Sequence, residues 1–136
     1  MTRQNGQALV EWALSAFVLL LFALGILAVG QIVGEDMAIR SAATQAAFAA
    51  ARAPSAEAAQ TAGLAAALEA VRGSQIERFQ IVIDPGSFQR GTVLTVTARG
   101  YVSLNAFPIA RQMLGDRVLL TWQAHALIEP YRSRTP

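Results

Sequence analysis

Residues Trp12 to Gly34 form a run of 23 positions without Asp, Glu, Lys or Arg. About 20 apolar residues suffice to cross a bilayer as a helix, so the run predicts a transmembrane helix. A cleaved secretory signal has a shorter apolar core of roughly 7–15 residues followed by a small-residue cut site. This run is longer and passes into further helix-forming sequence, which predicts a retained anchor. Asp36 to Arg52 is Ala-rich and has neither Pro nor Gly, a strongly helix-forming composition. One helix is therefore expected from about Gln7 to Arg52, roughly 70 Å long at 1.5 Å per residue. Within its second half Met37, Arg40/Ser41, Thr44 and Phe48 follow helical spacing, and this is the side expected to pack on a domain.

Pro54 ends that helix, because the residue before a proline disfavours helical backbone. Ser55 is placed to cap a second helix over Ala56–Arg72. In it Thr61, Leu64, Leu68 and Val71 form one stripe, and Arg72 with Gly73 supplies stop signals. The pattern then changes to period two. In Ile76–Asp84, Phe79, Ile81 and Ile83 alternate with Arg78, Gln80 and Val82, and Asp84-Pro85-Gly86 is turn chemistry. In Thr92–Leu104, Leu94, Val96, Ala98, Val102 and Leu104 share one face, and Gly100 suggests a bulge or bend. Ile109–Leu114 suits a short helical turn. In Arg117–Glu129 the apolar set is Val118, Leu120, Trp122, Ala124, Ala126 and Ile128. Strands with one apolar face form an antiparallel sheet covered on that face. The expected class is α+β: a long N-terminal transmembrane helix continuing into a small domain with a second helix and a three- to four-stranded antiparallel sheet. The tail from Pro130 to Pro136 is expected to be loose.

Composition adds two limits. The chain is 54% hydrophobic and 15% charged, below the usual quarter of charged residues, as fits a chain partly solvated by lipid. Its 11 basic and 9 acidic residues give a net charge of +2, and no Lys is present. The pI of 9.9 therefore reflects few titrating groups, and no basic cluster tracks phosphates, so no nucleic-acid partner is expected. There is no Cys, which excludes disulfides, thiolate metal sites and a Cys nucleophile. Arg3 precedes the span and Glu35-Asp36 follow it, so the positive-inside tendency places the N-terminus in the cytoplasm and residues 35–136 outside.

Candidate enzyme chemistry is thin. His125 is the only histidine, and it alternates with the apolar face of its strand, so it points to solvent or a loop. No second His or Cys completes a familiar zinc set. Ser87 or Ser103 with Asp84 or Asp116 could complete a Ser-His-Asp set only on paper, and there is no GxSxG. No catalytic residue, metal or cofactor is expected. Trp122 and Phe79 fall on core faces, Tyr101 and Tyr131 on exposed ones. Arg40 and Arg52 fall on a solvated or sheet-rim side of the first helix. Gly30-Gln31-Ile32-Val33-Gly34 has the GxxxG spacing that lets helices approach closely, although Gly is frequent in membrane helices anyway. Gly25 offers a point of softening.

One charged residue carries more information. Glu11 stands immediately before the apolar run and five residues after Gly6, with Trp12 beside it. An ionisable group at the edge of a membrane helix is costly and ordinarily has a partner; alone, it could also simply reach the headgroup layer. The whole arrangement, a short polar segment ending in Gly6, then Gln7-Ala8-Leu9-Val10, Glu11 and Trp12, resembles the processing site of type IV pilin-like precursors. More closely it resembles TadE-like pseudopilins of the tight-adherence (Tad/Flp) systems. The later strands, such as Gly91–Thr97 and Trp122–Glu129, are similar in a more diffuse way. The aromatic place, commonly Phe or Tyr, is filled by Trp12. Type II secretion pseudopilins would place the aromatic immediately after the cut, where this chain has Gln7.

The resemblance implies a leader of residues 1–6, a membrane half of residues 7–34 and an extracytoplasmic pilin-like domain of residues 35–136. It implies cleavage by a prepilin peptidase between Gly6 and Gln7, so that the sequence as written is a precursor, and registration of subunits through Glu11 and Trp12. Gly30 and Gly34 become candidate helix-packing residues. The implied role is structural, a minor pilin in the bacterial inner membrane or in a pilus. The implied partners are the peptidase, an inner-membrane assembly platform, a TadF-like or second TadE-like subunit and the lipid bilayer. Two alternatives remain: an anchored binding module that is never cut, and a small membrane-tethered enzyme that would need a buried polar cluster around His125.

Overall fold

A computed structural model describes residues 3–129, with side chains from Gly6 onward. Met1, Thr2 and the tail from Pro130, which includes Tyr131, lie outside the described residues. Helix α1 runs without interruption over Arg3–Ala51. Helix α2 covers Ala56–Ala70, strand β1 Ile76–Asp84, strand β2 Val93–Ser103, the short helix α3 Pro108–Leu114 and strand β3 Arg117–Leu127. The three strands form an antiparallel sheet in the order β1-β2-β3. The architecture is α+β, with a long apolar N-terminal helix, a second helix and a three-stranded antiparallel sheet.

Each boundary has a local cause. The chain after Ala51 turns through Pro54, and Ser55, in extended backbone, caps α2 by accepting a hydrogen bond from the Ala58 amide at 3.2 Å. Gly73, at φ +82°, takes the left-handed conformation that ends this segment. The expected end of α2 at Arg72 moves back to Ala70. Arg72 instead pairs with Glu69 at 3.0 Å on the surface.

The sheet faces are those the alternation predicts. Leu94, Val96, Ala98, Val102 and Leu104 have no exposed surface, and Phe79, Ile81 and Ile83 pack against them from β1. The opposite face is polar: Gln123 Nε2 donates to Thr97 Oγ1 at 3.2 Å, and Glu77 pairs with Arg117 at 3.1 Å. Gly100 does mark an irregularity, but the bulge lies across from it on β1. The register shifts between Glu77 and Gln80, with Arg78 at φ +51°. The extra residue lets both Ile76 and Phe79 turn inward despite odd spacing. A methyl on Gly100 would collide with Ile76 and come within 3.1 Å of Ile39 Cδ1, so the bare backbone there makes room for the flipped isoleucine.

The helix faces differ from expectation. The upper half of α1 lies over β2 and β3, and α2 lies beside it toward β1. What α1 buries is Ile39, Ala42, Ala43, Ala46, Ala47 and Ala50, while Met37 (64%) and Phe48 (55%) are exposed and Thr44 faces outward. On α2 the buried residues are Ala59, Gly63 and Ala67, while Leu64 and Leu68 of the expected stripe are exposed. The reason is distance. A methyl on Gly63 would collide with Ile83 and sit 3.2 Å from the Ala46 carbonyl oxygen. Two helices at that separation over one sheet have room for Ala and Gly but not for Leu or Phe, since cores have no spare volume. The larger core side chains, Ile39, Leu94, Val96, Val102 and Leu104, each contribute about 1.5–3 kcal/mol by burial.

Trp122 is on the apolar face as expected but is 37% exposed, because β3 is an edge strand. The Arg40 guanidinium covers its ring at 4.2 Å and also pairs with Asp36 at 2.7 Å. Arg40 is thus at the sheet rim, as predicted, and Arg52 is solvated. Tyr101 is half-buried, not exposed.

Candidate functional site

The base of α1 holds the residues that the sequence singles out. Gly6, Gln7, Glu11 and Trp12 lie on one continuous helix and are all exposed, Trp12 at 72%. Among the described residues no side chain lies within 4 Å of the position a Cβ would take on Gly6. Gln7 and Glu11 are one turn apart, and Gln7 Nε2 donates to Glu11 Oε1 at 3.3 Å. Around and above them most large apolar side chains are left uncovered by the described residues: Leu9, Leu14, Leu19, Phe22 and Ile26 are between 63% and 71% exposed. The helix meets the length and composition of a membrane span. A soluble protein does not ordinarily leave such a surface in water, so the lower half of α1 fits an N-terminal membrane anchor.

Gly30 and Gly34 are exposed, and the Cβ position of each is open. They make no close contact within the chain. With 3.6 residues per turn they lie on the side of α1 away from Ile39, Ala43 and Ala46, and so away from the domain. Gly25 is also open at its Cβ position. Where the span meets the domain, Gln31 Nε2 donates to Gln75 Oε1 at 3.0 Å, and the Gln75 amide donates to Glu35 Oε1 at 3.0 Å. These contacts tie the α2–β1 connection to α1. The sequence pattern missed them, because nothing in the polar segment Ser74-Gln75 announces partners 40 and 44 positions away.

The structure does not bring His125 together with Asp84 or Ser103. His125 is exposed on the polar face of the sheet, with Nδ1 3.1 Å from Thr95 Oγ1. Asp84, Thr95 and His125 stand in one row across the three strands. Asp84 is therefore two strands from His125, about 10 Å at 4.8 Å per strand, and its carboxylate accepts from the Gly86 amide at 2.9 Å within the turn. Ser103 pairs with Arg117 at the far end of β2, eight residues from Thr95 and so about 27 Å away. Among the described residues no group of three His, Cys, Asp or Glu side chains could hold a metal ion.

Neither a curated protein nor a solved structure matches the chain. Residues 6–52 match the family model described as TadE-like protein. The matched stretch begins at Gly6 and ends one residue past α1. It therefore covers the motif, the apolar span and the Ala-rich upper half, and leaves α2 and the sheet outside. That N-terminal segment is similar to TadE-like proteins, and within it lies one helix long and apolar enough to cross a membrane.

Proposed function

We propose that this protein is a structural minor pilin or pseudopilin of a Tad-type pilus or secretion apparatus, without catalytic chemistry or cofactor of its own. Its α1 anchors it in the bacterial inner membrane, with the N-terminus in the cytoplasm and the domain outside. A prepilin peptidase removes residues 1–6, and α1 then assembles with other pilin-like subunits on an inner-membrane platform. The observation that carries this reading is one coincidence. The TadE-like match begins at the same Gly6 that stands five residues before Glu11, on a helix whose lower half leaves most of its large apolar side chains exposed.

The physical sense follows from the helix. Gly inside a helix is less stable than Ala by about 1 kcal/mol, so Gly6 is a favourable place for the backbone to unwind into a protease. Cutting there, four residues into α1, moves the helix N-terminus to Gln7. The Gln7 nitrogen becomes a positive amine, and the amides of Ala8 to Val10 lose their helical partners. A carboxylate near a helix N-terminus is stabilised by the helix dipole. Glu11, one turn from the new amine and hydrogen-bonded by the Gln7 side chain, is then placed to meet the amine of a neighbouring subunit. In a low-dielectric layer an unpaired carboxylate is costly, so the pairing would set the register between helices. Gly30 and Gly34, open and turned away from the domain, suit a close approach of a second helix.

Intact-mass analysis of membrane-extracted protein, with and without a prepilin peptidase, tests this. The expected result is a chain beginning at Gln7 only with the peptidase, and no such chain for Gly6→Leu. A chain that keeps Gly6 under both conditions would overturn the processing reading and favour a permanently anchored binding module.

A further inference from the structure

The connection between β2 and β3 reaches down beside the membrane helix. Ala28 is only 3% exposed, the one buried residue of the charge-free run. Around it Leu21, Ala28 and Ile32 of α1 face Phe107, Met113 and Leu114 of the α3 segment across an apolar cavity of about 300 Å³. Helix α3 stands off from α1 here and does not close on it. The polar boundary on α1 is marked by Gln31, which is hydrogen-bonded to Gln75. Leu21 lies ten residues lower, about 15 Å along the helix, comparable to half of a ~30 Å hydrocarbon core.

The sequence of α3 suits that depth. With 3.6 residues per turn, Ile109, Ala110, Met113 and Leu114 share one side of α3, and Arg111 and Gln112 share the other. Ile109 is 49% exposed, Leu114 59% and Met113 81%. The polar side is tied upward: Arg111 pairs with Asp116 at 3.1 Å beside Asn105 and Arg117. An exposed apolar side at the level of a membrane span, with its charge held above it, is the arrangement of a segment lying in the interface.

We propose that α3 inserts its Ile109–Met113–Leu114 side into the outer leaflet, and that lipid acyl chains fill the groove between α3 and α1. The domain is then held to the bilayer at two places, the span and this wedge. The wedge limits how far the domain can tilt about the Gln31–Glu35 level. It also sets a cost for withdrawing the subunit from the membrane beyond that of α1 alone. The inference rests on the membrane-anchored reading of α1 given above.

The chain has no Cys, so single cysteines are unique sites for a polarity-sensitive fluorophore. The full chain would be reconstituted in phosphatidylethanolamine–phosphatidylglycerol vesicles as Leu20→Cys, Met113→Cys and Ser87→Cys. Ser87 is exposed in the turn at the opposite end of the sheet, so it serves as the aqueous control. The labels at positions 20 and 113 should be quenched by nitroxide lipids and shielded from iodide, and the label at 87 should show the reverse. A label at 113 that iodide quenches, with position 20 still in lipid, overturns the wedge and leaves the anchor standing. A label at 113 shielded from both quenchers means that protein covers α3, which also overturns lipid contact. Iodide quenching at both 20 and 113 would overturn the anchor itself.

Discussion

The two halves of α1 are one helix in two solvents. Below Gln31 most of the large side chains point outward, as at Leu19 (69% exposed) and Phe22 (67%). Above Glu35 the surface that meets protein is built from Ala42, Ala43, Ala46, Ala47 and Ala50, nearly all of it fully buried. Size therefore separates the two surfaces better than hydrophobicity does. Lipid accepts any bulky apolar side chain, because it flows around it. A neighbouring helix over a sheet accepts only what the fixed gap between backbones allows.

That comparison can be broken most directly by charge. Phe22→Arg places a cation in the span and should cost about 2.5–3.5 kcal/mol of insertion free energy. Phe48→Arg, on the outward side of the upper half, should stay within about 0.5 kcal/mol. The fraction of protein retained in carbonate-washed membranes measures the first, and denaturant unfolding of the detergent-solubilised chain the second. Equal losses for both would mean that the halves do not differ in solvent.

Size is the second lever. Ala46→Leu forces a branched side chain between α1 and α2 and should destabilise the domain by about 1–3 kcal/mol. Ala16→Leu, exposed in the lower half, should leave the domain midpoint unmoved. The smaller expectations concern the edges of the upper layer. Ser55→Ala removes the α2 cap and should cost about 1 kcal/mol. Arg40→Ala removes the cover over Trp122, about 0.5–1 kcal/mol for an exposed cation–π contact, and a half-exposed ion pair with Asp36 worth about 0.3–0.5 kcal/mol. The Arg40→Ala change should also alter Trp122 fluorescence, a signature that loss of the Asp36 pair alone would not give.

The strands were legible because alternation has a short period and a binary outcome. Phe79, Ile81 and Ile83 could fall only on one side or the other, and the apolar side is inward in a one-sided sheet. The motif at Gly6–Trp12 was legible because its information is local. The helix faces were not. Met37, Thr44 and Phe48 on α1 and Leu64 and Leu68 on α2 form acceptable stripes by period, yet they face out. In an Ala-rich helix every face is apolar enough to bury, so periodicity does not select one. The bulge at Arg78 was hidden for a related reason: Gly100 signalled a bend, but its cause is Ile76 on the neighbouring strand.

By itself the sequence determined the charge-free span, the break at Pro54, the strand alternation and the Gly6–Glu11 spacing. All of these depend on residues near each other in the chain. Only the tertiary structure decided which face of each Ala-rich helix is buried, because that depends on a distance between backbones set by the sheet. It also decided that the β2–β3 connection descends beside Ala28. The 106–114 segment encodes an apolar side, but its depth is fixed by where β2 ends relative to α1, which no local pattern contains.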